Sequence, residues 1–552
     1  MRWVPLSGLH GRRTEIALRH GLSGPAALLL AARFPGGEEE VLETFLDPSR
    51  EPWPDPCRIP GLQAAAERVA EAVRRGEKIL VHGDYDVDGL MGAAILAGTL
   101  SSLGAAREVF IPSRFDGGYG LSETSLEAVR EAGASLVLTT DCGTNSREAG
   151  EALAREGVDL VVTDHHLPME DGLPPGWVVN PHLTPDHPDG ALCGASVALQ
   201  FARRLGELLG RPPALEPFLR LAAIATIADV SPLSPLNRRI CREGLAALPD
   251  TPNPALARMV RQASAGGPVM GHHVAYHLAP RFNAAGRMED ARIVLDLLLE
   301  RDPVRAAALA GKLDRLNAER KALQAAAFEE ASAQALEAPG RVVFAFSGSW
   351  HRGVLGPVAA RLAETHRRSS FVVGLSAGTG TGSARAFGAD NVMDLLAPAR
   401  HLLERFGGHA GAAGFSVREE RIGELKSLLE KAPPPPQGPE DPFVYIPLPP
   451  EELPELWDAW RLLDPFGPGN EEPVLGLEGI RARGSRVIKD RHILWDVLDG
   501  QGKTLSVIAW DGIPRGLSPA SLTPSALLLA KPSPENRRKT PYPFYLNLLD
   551  IA

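Results

Sequence analysis

The segment HGDYDVDG places His82, Asp84, Asp86 and Asp88 within seven residues, directly after the apolar run Ile79–Val81. Carboxylates this close repel one another, and a divalent cation is the natural compensating charge. The spacing is not that of an EF-hand loop. Two further apolar runs end in the same chemistry. Leu136–Leu138 leads into Thr139, Thr140 and Asp141, followed by CGT, and Leu160–Val162 leads into Thr163, Asp164, His165 and His166. A fourth acid, Asp229, ends the apolar run of AAIATIADV and could close the site. One DxD reads as an Asp-rich turn and one HH pair as a surface pair. Three such clusters, each at the end of a strand-like run, read as a metal centre.

Strands that aim these residues into one crevice must be parallel neighbours, because ligands in open parallel sheets collect outside the carboxyl ends of strands. Short β-rich runs at Ile79–Val81, Leu136–Leu138, Leu160–Val162 and Trp177–Val179 alternate with helical stretches such as AAAERVAEAVRRG and SLEAVREAG, which end at Gly. This alternation predicts βαβ units and a parallel sheet over residues 61–235. Residues 236–338 form a helical connector. Within it, 303–337 is a long helix-favouring stretch without internal Pro, able to join two lobes around a cleft. A second α/β unit spans 339–432, with RVVFAFSG as a strand, GVLGPVAARLAE as a helix and FVVGL as another strand. The run APPPPQGP favours an extended linker, so a boundary falls at 432–441. From 442 to 552, RVIKD, HILWDVL, TLSVIAW, SALLLA and YPFYLNLL predict a small β-barrel. The N-terminal segment, 1–60, carries no usable motif.

Composition bounds the class. With 552 residues, 44% hydrophobic and 23% charged, the chain is globular and multidomain. No run approaches the roughly 18 apolar residues of a membrane helix, and charges interrupt the N-terminus, so a cytoplasmic location without membrane partners is expected. Cys57, Cys142, Cys193 and Cys241 are far apart and form no C-x-x-C pair, so neither a zinc knuckle nor a disulfide framework is suggested. The net charge is −10, yet Arg481, Arg483, Arg486, Lys489, Arg491, Lys503, Arg515, Lys531, Arg537, Arg538 and Lys539 face only five acids between residues 481 and 540. That asymmetry points to a polyanionic partner at the C-terminal region. The chain stops at LNLLDIA, directly after strand-like residues, so a further C-terminal domain could be missing.

HGDYDVDG, TTDCGT, VVTDHH and ATIADV resemble the four successive motifs of the DHH phosphoesterase superfamily. RFNAAGRM, SWHRGVLGPVAARL, GSARAF, GGHAGAAGF and LLDPFGPGNEEP resemble segments of its RecJ family, in RecJ order. The resemblance spans about residues 77 to 475. It implies an α/β fold: a two-lobed DHH core, with a parallel sheet and flanking helices joined by a long helix to a second α/β lobe, followed by an OB-like barrel. It also implies a ligand set. His82, Asp86 and Asp141 would hold one metal, and Asp88, Asp141, His165 and Asp229 the other, with Asp141 as the bridge. Mixed carboxylate and imidazole donors suit two divalent ions, Mn²⁺ first and Mg²⁺ as an alternative. Asp84 would orient a ligand or a metal-bound water, and His166 would touch the scissile phosphate or protonate the leaving oxygen.

The second lobe offers substrate grip. GTGTGSAR reads as a Gly-rich turn, so that Gly382, Ser383 and Arg385 can receive a terminal phosphate. Gly408 and His409 lie in a similar small-residue segment. Arg281, Asn283 and Arg287 either bind phosphates or serve helix capping and packing, and Trp350 and His351 either line a substrate channel or form a buried pair. Of Trp495, Trp510, Tyr542, Phe544 and Tyr545 in the barrel, one or two are expected to meet bases and the rest to pack. The resemblance implies a 5′-to-3′ exonuclease of single-stranded DNA in repair and recombination, assisted by a helicase and a single-strand-binding protein. The alternatives are a phosphodiesterase for short oligonucleotides or cyclic dinucleotides, and a non-catalytic nucleic-acid-binding scaffold.

Overall fold

The computed structural model describes residues 3–115, 120–169, 172–337, 340–434, 442–499, 501–513, 515–523, 526–534 and 542–551. Residues 435–441 of the expected linker, and Arg537, Arg538 and Lys539 of the basic region, lie outside the described residues. Two compact units result. One comprises Met1–Pro112, Gly117–Ala279 and Asp441–Ala552, the other Ser113–Asp116 and Pro280–Glu440. The stretch expected as a single connector, 236–338, is therefore shared between them.

The first unit opens with a short strand, β1 (Trp3–Pro5), and three helices ending at Leu46. It also contains a parallel sheet of β2 (Ile79–Gly83), β3 (Arg107–Phe110), β4 (Leu136–Thr140), β5 (Asp159–Thr163) and β6 (Trp177–Val179). The order is β3-β2-β4-β5-β6. β2 and β4 are buried along their whole length, as parallel strands covered on both faces must be, and this is why their sequences run apolar without alternation. The edge strand β3, REVF, is only half-buried and too polar to stand out in the sequence. The helices predicted from AAAERVAEAVRRG and SLEAVREAG form at Leu62–Arg75 and Glu123–Ala132. Each stops at a glycine in the left-handed region, Gly76 (φ 68°) and Gly133 (φ 60°).

The second unit contains the predicted long helix, Pro303–Glu337, and β7 (Val343–Ser347), β8 (Ser370–Ser376), β9 (Thr379–Arg385), β10 (Leu403–His409) and β11 (Ala412–Arg418). Their order is β10-β11-β9-β8-β7. Here one expectation fails. GTGTGSAR is not a turn but β9, the central strand, paired antiparallel with both β8 and β11. Its glycines make room for neighbours rather than freeing the backbone. Gly382 stands opposite Phe415 in the ladder, and a Cβ added there would lie 2.1 Å from the Phe415 ring. GGHAGAAGF is likewise the β10–β11 hairpin. In it Gly408 has φ +149°, and a Cβ would meet the Ala412 carbonyl oxygen at 2.2 Å.

The barrel region contributes β12 (Phe443–Pro447), β13 (Leu475–Leu477), β14 (Arg481–Ile488), β15 (His492–Leu498), β16 (Thr504–Ala509), β17 (Leu528–Pro534) and β18 (Phe544–Ile551). With β1 they form one eight-stranded sheet, order β1-β12-β13-β17-β18-β16-β15-β14. The N-terminal segment thus has a structural role that its sequence did not disclose. β1 pairs in parallel with β12, and Leu29, Leu30 and Leu42 share one core with Trp460, Trp495 and Phe544. β14 is exposed along almost its entire length and carries Arg481, Arg483 and Arg486 on the open edge of the sheet. Among the described residues no helix is long and apolar enough to cross a membrane.

Candidate metal centre and substrate grip

The carboxyl ends of β2, β4 and β5 bring the acids and histidines together. Ligand atoms of Asp84, Asp86 and Asp141 lie within 4.8 Å of one another, as do those of Asp88, His165 and Asp229, and those of Asp141, His165 and His166. Local backbone geometry sets each of them. Asp86 caps the helix Val87–Ser102, one oxygen accepting from the N–H groups of Asp88 (2.9 Å) and Gly89 (3.2 Å). Asp88 accepts from Gly194 N–H (2.6 Å) and Ala195 N–H (2.8 Å), at the N-terminus of the helix Gly194–Leu208. Asp141 adopts φ 61°, just past the end of β4. Gly194 must be glycine there, since a Cβ would fall 2.6 Å from that of Asp141. Gly89 plays the same part for Asp84, with a virtual Cβ 2.4 Å from the Asp84 nitrogen. Ser231 donates to Asp229 at 2.7 Å.

His82 lies outside these groups, whereas Asp84 lies within one of them. The His82 imidazole is fully buried, with Nε2 2.9 Å from Ser125 Oγ and Nδ1 3.5 Å from Cys142 Sγ. Burial holds its pKa down to about 4. It braces β2 against the helix Glu123–Ala132 and the loop after β4 and does not join the ligand groups found. Asp84 joins one instead.

The electrostatics are those of crowded, buried acids. Burial, and then the charges of Asp88, Asp86, Asp84 and Asp164, push the Asp141 carboxyl well above the usual range. Burial also raises Asp88, against the favourable charge of His165. The Asp229 residue is open to solvent, but its carboxyl reaches inward, and burial with the Asp88 charge pushes it up to about 6. The donor set of carboxylates and imidazoles, without a thiolate, fits hard or borderline divalent ions such as Mn²⁺ and Mg²⁺. His165 Nε2 lies 3.2 Å from Asp141 and 3.7 Å from Asp88, and so touches both sides of the cluster.

Asp164, directly before His165 in VVTDHH, carries no assigned role from spacing alone. It accepts from Thr144 N–H (2.9 Å) and His165 N–H (2.8 Å) and lies 2.8 Å from His166 Nδ1. Burial opposes its ionisation, but the His166 hydrogen bond and the nearby histidine charges bring it down to about 2. In return, although burial works against it, the Asp164 bond and charge raise the pKa of His166. Asn180 fixes this arrangement by donating to Thr144 Oγ1 (2.9 Å) and the His166 carbonyl (2.8 Å).

Residues 78–226 match the DHH family N-terminal domain, 340–432 the DHHA1 domain and 446–526 the RecJ OB domain. The chain is 38% identical over 454 residues to the single-stranded-DNA-specific exonuclease RecJ of Thermus thermophilus, covering 82% of this chain and 66% of that protein. It is 32% identical to the RecJ of Haemophilus influenzae, covering 76% of each. The crystal structure of Thermus thermophilus RecJ in complex with Mn²⁺ superposes with a TM-score of 0.82 at 33% identity, covering 100% of this chain and 79% of that one. The same protein has been solved with Mg²⁺. The chain belongs to the RecJ family. It spans 66% of the Thermus and 52% of the Bacillus subtilis relative's length.

In this RecJ-family chain the second unit presents cations in differing states. Arg385, on β9, is half-buried. Its Nη1 donates to Ser383 Oγ (3.1 Å) and to the Ala384 carbonyl (2.8 Å), and no carboxylate pairs with it among the described residues. Arg281 is paired with Asp314 at 2.7 Å, and Arg287 reaches the Gly353 carbonyl at 3.5 Å. Asn283 shares their helix, Ala279–Met288. Trp350 is buried among Phe328, Val354 and Val358 and donates its indole N–H to Glu330 at 2.7 Å, so packing, not base stacking, is its role. His351 accepts from Gly353 N–H at 3.1 Å beside the Phe115 ring. His409 is exposed in the β10–β11 hairpin. In the barrel, Trp495, Tyr542 and Phe544 are core residues, which leaves Trp510 and Tyr545 as accessible rings 6.5 Å apart.

Proposed function

We propose that this chain is a metal-dependent exonuclease that hydrolyses the phosphodiester bonds of single-stranded DNA in the 5′-to-3′ direction, in DNA repair and recombination. The observation that carries this reading is the convergence of Asp84, Asp86 and Asp141 with Asp88, His165 and Asp229 at neighbouring strand ends. On this reading Asp84, Asp86 and Asp141 hold one divalent ion and Asp88, His165 and Asp229 the other, with Asp141 adjoining both. Mn²⁺ is preferred. When bound, such a pair supplies an activated water and stabilises the charge that develops on the phosphate. His166, oriented by Asp164, delivers a proton to the leaving oxygen. Arg385 and Ser383 receive the 5′-terminal phosphate. The guanidinium is the contact there, since the β9 backbone donors are spent in the sheet. Trp510, Tyr545 and the basic edge of β14 bind the strand, and a helicase and a single-strand-binding protein supply it.

The test is degradation of a long 5′-phosphorylated single strand with Mn²⁺ and with chelator, beside a duplex and a dinucleotide. Metal-dependent loss of the single strand from its 5′ end is expected. A strong preference for the dinucleotide would replace the reading with that of a small-substrate phosphodiesterase, and no metal-dependent cleavage would leave a binding scaffold.

A further inference from the structure

The first unit contains a cavity of about 790 Å³, within the roughly 300–1,000 Å³ of small-molecule sites. The metal ligands do not line it. Its walls come from the end of the helix Leu215–Ala228, a π-helical turn (Val274–Leu278), the helix Leu453–Leu463 and the barrel strands β17 and β18. A π-turn costs hydrogen-bond geometry and recurs at functional sites. Unspent polar groups and aromatic faces meet here. His272 Nε2 is buried without a hydrogen-bond partner. Burial, and then His273 and His277, hold its pKa down to about 3, so the ring is neutral and its nitrogen is free to pair. On β18, Tyr545 and Asn547 point to one face of the sheet, and Asn547 stands opposite Lys531 of β17. Neither the Asn547 amide nor the Tyr545 hydroxyl has a hydrogen-bond partner among the described residues. Trp457 also lines the cavity, one face stacked on Phe544 at 5.5 Å, while Lys531 stands 3.5 Å from Glu472.

We propose that this cavity is a nucleobase pocket, holding one base against Tyr545 and Trp457 while the Asn547 amide and His272 read its edge. A flat apolar base fits aromatic walls, and stacking is worth about 1–3 kcal/mol per base. A side-chain amide offers one donor and one acceptor side by side, the pattern that pairs with adenine N6 and N7. The same chemistry is carried by a free deoxynucleoside monophosphate and by a nucleotide of a bound strand. The inference rests on the single-strand reading and deepens it by adding a base-binding position whose lining includes none of the proposed metal ligands.

The full chain is titrated with dAMP and, in chelator to prevent cutting, with a short 5′-phosphorylated oligo(dA). Wild type is compared with Asn547→Ala and with the more conservative His272→Gln, after thermal melting has established that both remain folded. If dAMP binding weakens at least about tenfold in Asn547→Ala, the pocket takes free nucleotide. If only oligo(dA) binding weakens by that factor, the pocket holds a base of the strand. Unchanged affinity for both ligands in both variants overturns the proposal, even where metal-dependent cleavage is normal. Absence of cleavage with dAMP binding intact would instead count against the nuclease reading alone.

Discussion

At the scale of single residues, the proposed site turns on which side chains would hold its cations. Asp84→Asn and Asp141→Asn are both expected to weaken Mn²⁺ binding and to lower turnover by more than the roughly 10–100-fold typical of residues outside the ligand shell. His82→Gln, by contrast, should lower thermal stability, because the imidazole no longer bridges Ser125 and Cys142, while Mn²⁺ binding by calorimetry is largely retained. Equal metal loss in all three would restore His82 to the ligand set. Asp164 makes a pH-dependent prediction. Because its folded pKa is depressed to about 2, its carboxylate contributes stability above the ordinary value near 4 and loses it as pH falls through 2. Asp164→Asn should therefore melt below wild type at neutral pH, by roughly 2 kcal/mol, with the gap closing between pH 4 and 2. Without Asp164 the pKa of His166 falls, so the alkaline limb of the rate profile should also move to lower pH.

At the scale of elements, β9 and β14 carry opposite lessons. In β9, Gly382→Ala would drive a Cβ into the Phe415 ring, and overpacking of this kind costs about 1–3 kcal/mol. Chemical denaturation should report that loss. Arg385→Ala, which leaves the ladder alone, should instead diminish the preference for a 5′-phosphorylated over a 5′-hydroxyl strand. An unchanged preference would exclude Arg385 as the end sensor. On the open edge β14, replacing Arg481, Arg483 and Arg486 with Ala should weaken strand binding and flatten its salt dependence, by a slope of about 1 for each phosphate that is no longer neutralised. An unchanged slope would make this edge a solvated surface.

At the scale of the whole molecule, the first sixty residues belong with the barrel. Leu28, Leu29, Leu30 and Leu42 share a core with Trp460, Leu475 and Phe544, and Trp3 donates its indole N–H to Asp550 at 3.1 Å. Removing residues 1–50 should therefore lower the melting temperature and expose apolar surface to a hydrophobic dye, although no metal ligand is touched. Removing the chain beyond Pro439 uncovers the same face from the other side. Its effect on strand affinity must accordingly be read beside its effect on stability. A truncated chain that melts like the intact protein would refute this shared core.

The sequence alone determined whatever depends on neighbours along the chain. Buried parallel strands must be uninterruptedly apolar, so β2, β4, β5 and β6 were visible, and the polar groups following the first three marked the ends where a site could lie. Helix stops at Gly76 and Gly133 were legible because only a left-handed residue is needed there. What the tertiary structure decided rests on partners distant in sequence. That the His82 imidazole stays out of the acidic cluster depends on Ser125 and Cys142, which give it other partners. The glycines of β9 look like a turn until Phe415 is seen across the ladder. The N-terminal segment looks idle until β12 takes β1 as its neighbour, because an unpaired strand of three residues has no signature of its own. Spacing can bring ligands to the end of a strand, but packing chooses which of their atoms remain free.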